Sequence, residues 1–101
     1  MKESISLIGM AGAGKSSIGK KLANYLDFDF IDSDALIESN QNKSLQEVLV
    51  ANGVDEFKKI EEAAILSIEF NQTVLATGGS AIFSKKAMNH IKSNSSVIYL
   101  E

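Results

Sequence analysis

An α/β fold, a parallel sheet with helices on both faces, follows from three features of this 101-residue sequence. Short aliphatic runs alternate with longer stretches of helical spacing, and parallel neighbours need such crossovers, which are right-handed. The hydrophobic period switches from strand to helix across a glycine cluster near the N-terminus. The composition, 45% hydrophobic and 23% charged, supplies one ordinary core and argues against disorder. A chain of this length makes one folding unit, not two.

The elements follow in order. Ser4 to Ile8 has the β-branched and aliphatic content of a short buried strand, ended by glycines. From Lys15, residues Ile18, Leu22, Tyr25 and Leu26 recur at spacings of three and four and predict one buried helical stripe, with Lys20, Lys21 and Asn24 elsewhere. Phe28 to Asp32 alternates apolar and acidic side chains and predicts a second strand, followed by a short helix through Ala35, Leu36 and Ile37. Ser44 precedes Glu47 by three residues, a capping-box spacing, and opens a helix that Gly53 should terminate. From Asp55 the spacing of Phe57, Ile60, Ala64, Ile65 and Ile68 predicts another helix, with Lys58, Lys59, Glu61 and Glu62 between the apolar positions. "TVLATGGS" reads as a third strand ending in a glycine pair, "SKKAMNHIKSN" as a helix and "SVIYL" as a fourth strand. Phe28, Phe30, Phe57 and Phe70 are expected in the core. Because the sequence stops just after an apolar strand with nothing to cover it, residues 1–101 are expected to be a single domain that is incomplete at its C-terminus.

Several function classes are excluded by composition. The net charge is −3 and no run of Lys or Arg could neutralise a phosphate backbone, so no nucleic-acid partner is expected. The absence of cysteine removes disulfides, thiolate metal sites and a cysteine nucleophile. The first apolar run is too short for a signal peptide or for a span of about 20 residues, so a cytoplasmic protein away from membranes is expected; a monomer is expected as well. His90, the one histidine, has no visible nucleophilic or metal partner and is given no role.

Gly9 to Ser16 matches G-x-x-x-x-G-K-[ST] between a predicted strand and a predicted helix, the context this motif requires. Glycines let successive N–H groups turn inward on a phosphate, and the helix beginning near Lys15 adds its positive dipole end. Lys15 can reach the β- and γ-phosphates of a nucleotide, and the Ser16 hydroxyl suits Mg²⁺, a hard cation. The plainer reading is a glycine-rich turn with a surface lysine; the flanking elements favour the phosphate cradle.

Asp32 and Asp34 flank Ser33 at the carboxyl end of the second strand, where ligands of open α/β sheets bind. In extended chain an i, i+2 spacing points both carboxylates to one side, so one could hold Mg²⁺ through water while the other deprotonates a hydroxyl. Capping of the next helix by Asp32 or Ser33 explains the same residues equally well. Gly78 and Gly79 give a close-approach backbone for a ligand's oxygen atoms or simply a turn. Lys58 and Lys59 are either an anion anchor over the cleft or solvated surface.

Taken together, "LIGMAGAGKSSIGKKLA", "FIDSDALIE", "FKKIEEAAI", "ATGGSAI" and "VIYLE" resemble the shikimate kinases, small P-loop kinases of the nucleoside-monophosphate kinase type, along the whole chain. The resemblance implies a P-loop NTPase fold, three layers α/β/α with four of the usual five parallel strands present. It also implies ATP, Mg²⁺ and phosphoryl transfer to the 3-hydroxyl of shikimate in aromatic amino-acid biosynthesis. By family analogy Gly12, Ala13, Gly14, Lys15, Ser16 and Ser17 take the nucleotide phosphates, with Lys15 catalytic. Ser16 and Asp32 serve the metal, Asp34 binds the substrate and activates its hydroxyl, and Lys58, Gly78 and Gly79 fall at substrate-contacting positions.

The family pattern F-R-x-x-E is Phe57-Lys58-Lys59-Ile60-Glu61 here, and the usual three-glycine turn is Gly78-Gly79-Ser80. A lysine supplies charge without the two-pronged bonding of arginine. Two alternatives therefore stand beside shikimate kinase: a related P-loop kinase for another small hydroxylated metabolite, and a non-catalytic nucleotide-binding module. The family's lid and its arginines lie beyond these 101 residues, so the piece alone is expected to hold phosphate but to transfer it poorly.

Overall fold

The computed structural model describes residues 3–9, 14–78 and 84–100. Eight elements follow along the chain: β1 (Ser4–Gly9), α1 (Lys15–Leu26), β2 (Asp29–Asp32), α2 (Ser33–Gln41), α3 (Leu45–Leu66), β3 (Thr73–Ala76), α4 (Lys85–Asn94) and β4 (Ser95–Leu100). The described strands form one sheet in the order β2-β3-β1-β4, every pair parallel. All four described strands thus end on the same side of the sheet, where Gly9, Asp32 and Gly78 also lie.

β3 lies between β1 and β2, and its residues Val74, Leu75 and Ala76 are fully buried, as a central parallel strand requires. Alternating residues feed two cores. Leu7 and Val74 meet Ala23 of α1 on one face, with Ile5, Phe28, Phe30 and Leu100 packed against them. Ile8 and Leu75 meet Ile65 of α3, Ile68 just beyond it, and Ala87, Met88 and Ile91 of α4 on the other. Ile37, Val48 and Ala64 join α2 to α3, with Phe57 at the margin. Replacing the fully buried Ile65 by alanine should cost about 2–5 kcal/mol of stability, read from the shift in a urea-unfolding midpoint.

Helix ends follow local chemistry. α1 closes in a Schellman arrangement: Asp27 takes the left-handed conformation while Phe28 N–H donates to the Ala23 carbonyl and Asp27 N–H to that of Asn24. That turn consumes Phe28, so β2 starts at Asp29, one residue later than the alternation predicts. The Ser44–Glu47 capping box is present as expected. Gly53 breaks the helical run as expected: at φ 80° and ψ 168° it kinks α3 between two helical arms, one on either side of it. His90 bonds the Ile68 carbonyl and meets Phe70 edge-on, a structural role.

The stripe predicted for α1 is corrected. Tyr25 is 87% exposed and Ile18 45% exposed, while Lys15, Gly19 and Ala23 form the buried line. The cause is close packing: a Cβ on Gly19 would lie 2.6 Å from the Phe30 ring, so the helix approaches the sheet through its smallest residues.

Candidate active site

β1 ends at Gly9, and α1 is entered through Gly14, whose φ of 78° is open to glycine at little cost. No side chain caps α1, whereas Asp32, Ser44 and Ser84 cap α2, α3 and α4. The first amides of α1 and its dipole are therefore presented to an anion. Lys15 is only 9% exposed, and its Nζ donates to the Gly9 carbonyl at 2.7 Å, which holds the ammonium at the root of the loop. Ser17 is exposed on the first turn of α1. Gly12, Ala13 and Gly79, expected to touch phosphates or substrate, lie outside the described residues.

Ser16 Oγ donates to Asp32 Oδ2 at 2.5 Å, tying α1 to the end of β2. The other oxygen of Asp32 accepts from the amides of Asp34 and Ala35 and caps α2. The capping and metal-site readings of Asp32 are therefore compatible, one oxygen for each. A hydroxyl and a carboxylate oxygen in contact beside a helix N-terminus suit Mg²⁺, which uses few protein ligands and keeps several waters. Among the described residues no group of three or more His, Cys, Asp or Glu is placed to hold a metal, so phosphate and water oxygens would complete its coordination.

Asp34 is not on an extended strand with Asp32, as the i, i+2 argument assumed, but in the first turn of α2. Its carboxyl titrates above its ordinary value, chiefly because it is half-buried and then because Asp32 is near; Lys15 opposes the shift and Glu38 adds to it. A group held this way is suited to accept a proton from a hydroxyl.

Gly78 closes the site from β3. A Cβ there would lie 2.5 Å from Asp34 Oδ1 and 2.8 Å from Glu61 Oε2. Its amide donates to Ser33 Oγ, so what Gly78 offers the cleft is space and not an N–H. Glu61, 3% exposed, was read in the sequence as a charge between apolar positions and as the acid of the family pattern, with no site role. Its signal was helical spacing: it stands four residues after Phe57 and four before Ile65, on the inward stripe of α3. Lys58 and Lys59 are exposed, and Lys59 pairs with Glu56 at 3.9 Å, as surface lysines do. Gly78→Ala should destabilise the fold by about 1–3 kcal/mol, because its Cβ would force the Asp34 carboxylate and the buried Glu61 carboxylate to shift. Adding Glu61→Ala should recover part of that loss, the coupling being read from a double-mutant cycle of thermal melts.

The strand order, together with a helix entered through a glycine-rich loop directly after the inner strand β1, defines a P-loop α/β protein of three layers. Comparison with known proteins narrows this. A family model described as shikimate kinase matches residues 11–101. The shikimate kinase of Haemophilus influenzae (strain PittEE) is 44% identical over 101 residues, covering 99% of this chain and 56% of that protein. The crystal structure of shikimate kinase from Bacteroides thetaiotaomicron superposes with a TM-score of 0.91 at 31% identity, over 97% of this chain and 56% of that one. Shikimate kinase from Acinetobacter baumannii in complex with shikimate gives 0.90 at 32% identity, over 99% and 56%. The chain belongs to the shikimate kinase family. It spans about half the length of the relatives it matches.

Proposed function

We propose that the protein carrying this chain transfers the terminal phosphoryl group of ATP to the 3-hydroxyl of shikimate, with residues 1–101 belonging to a single kinase domain. The observation that carries this reading is the contact of Ser16 with Asp32 at 2.5 Å, beside an uncapped helix N-terminus and one turn from the raised carboxyl of Asp34. Mg²⁺ held there would neutralise charge on the phosphate oxygens.

The chain's own groups divide the remaining work. The amides at the start of α1, with Gly12 and Ala13 before them, bind the phosphates, and Ser17 adds a hydroxyl to that turn. Lys15 moves from the Gly9 carbonyl to the β- and γ-phosphate oxygens. Asp34 orients the acceptor hydroxyl and takes its proton on a carboxylate oxygen. Gly78 and Gly79 let the acceptor approach, and Lys58, one turn before Glu61 on α3, supplies positive charge for its carboxylate. No helix among the described residues is long and apolar enough to cross a membrane; we read the protein as a cytoplasmic monomer.

The test is an ATP-coupled assay of the full-length protein with shikimate. Turnover on shikimate supports the proposal. A background rate with shikimate beside brisk turnover of another hydroxy acid would assign a different acceptor, the outcome that lysine at position 58 makes worth testing.

A further inference from the structure

Ser33 is fully buried, and its Oγ accepts a hydrogen bond from the Gly78 amide at 2.9 Å. This contact joins the start of α2 to the end of β3 across 45 residues of sequence. It does no capping, because Asp32 already caps α2 through the amides of Asp34 and Ala35. Its sequence neighbours are the two acids of the site. Beside the Gly78 Cα the carboxylates of Asp34 and Glu61 stand so close that a Cβ would strike both. The glycine that lies against both carboxylates is thus held at its amide by one hydroxyl. A buried amide that lost this acceptor would go unpaired or move to find another.

We propose that Ser33 is a positioning residue: by fixing the Gly78 amide it sets the gap between the end of β3 and the Asp34 carboxylate, and so the angle from which Asp34 meets the acceptor. The inference rests on the reading of Asp34 as the proton-accepting group, and the experiment separates the two.

Full-length wild type, Ser33→Ala and Ser33→Thr are compared by steady-state kinetics with shikimate and MgATP, by calorimetric ATP affinity and by NMR exchange of the Gly78 amide. Ser33→Ala should lower kcat about 10- to 100-fold, the scale of a small misplacement of a reacting group. It should leave ATP affinity within about twofold, because the phosphate loop is untouched. Gly78 exchange should accelerate about tenfold or more. Ser33→Thr retains the acceptor and should restore both kcat and amide protection. An alanine variant with wild-type kcat, a threonine variant no better than alanine, or an unchanged Gly78 exchange rate in the alanine variant overturns the proposal. Should the alanine variant not fold, Ser33→Cys, similar in shape but a weak acceptor, takes its place in the same comparison. If wild type itself leaves shikimate untouched, the functional reading fails. Gly78 exchange in the variants then decides by itself whether Ser33 fixes the end of β3.

Discussion

Asp34→Asn is expected to lower kcat about 10²- to 10⁴-fold while raising the melting temperature. Both effects have one cause. Asp34 sits in the first turn of α2, where the helix dipole favours negative charge, yet burial and the neighbouring Asp32 raise its carboxyl above the ordinary value. A carboxyl whose pKa is higher folded than unfolded binds its proton more tightly in the native state. The stability this gives is fully present below the unfolded value and is lost as pH rises through the folded one. At neutral pH the ionised group therefore opposes folding, and asparagine removes the charge with little change of shape. Steady-state kinetics and thermal melts at neutral pH check the pair of outcomes together. A variant that is inactive and also less stable would mean that Asp34 holds the turn instead of straining it.

Lys15→Met is expected to reduce kcat/KM for ATP about 10²- to 10³-fold, the usual cost of removing one preorganised charge from a transferring group. The side chain is nearly buried against the root of the loop, with its ammonium on the Gly9 carbonyl. Methionine keeps the apolar stem and removes the donor, so packing along the buried line Lys15, Gly19 and Ala23 is preserved. The loss should fall on nucleotide use and leave the fold intact, which far-ultraviolet circular dichroism beside the kinetics would check. An unaltered kcat/KM would show that α1 and its loop hold the phosphates without the lysine.

Sequence spacing was enough to place the strands and helices because each has its own period. It failed where packing used small residues. Ile18 and Tyr25 form an apolar spacing on α1, but Gly19 and Ala23 bring the helix to the sheet, and hydrophobicity gives such residues little weight. Asp32 left two readings open; one of its oxygens caps α2, and the other, on Ser16, is left for the proposed metal. Glu61 was given no site role because a charge next to Glu62 in a lysine- and glutamate-rich stretch reads as surface, although its spacing from Phe57 and Ile65 put it inward. Ser33 was hidden for a different reason. A serine beside a helix start looks like a cap, and its partner Gly78 is a residue of β3's exit that no local pattern connects to it.

The most direct measurement is an NMR titration of the full-length protein with a non-hydrolysable ATP analogue, with and without Mg²⁺. The amides of residues 14–17 should shift with nucleotide, and those of Asp32 and Asp34 should respond only when the metal is added. Nucleotide and metal that left all of these signals in place would show that the end of this sheet is not where phosphate is held.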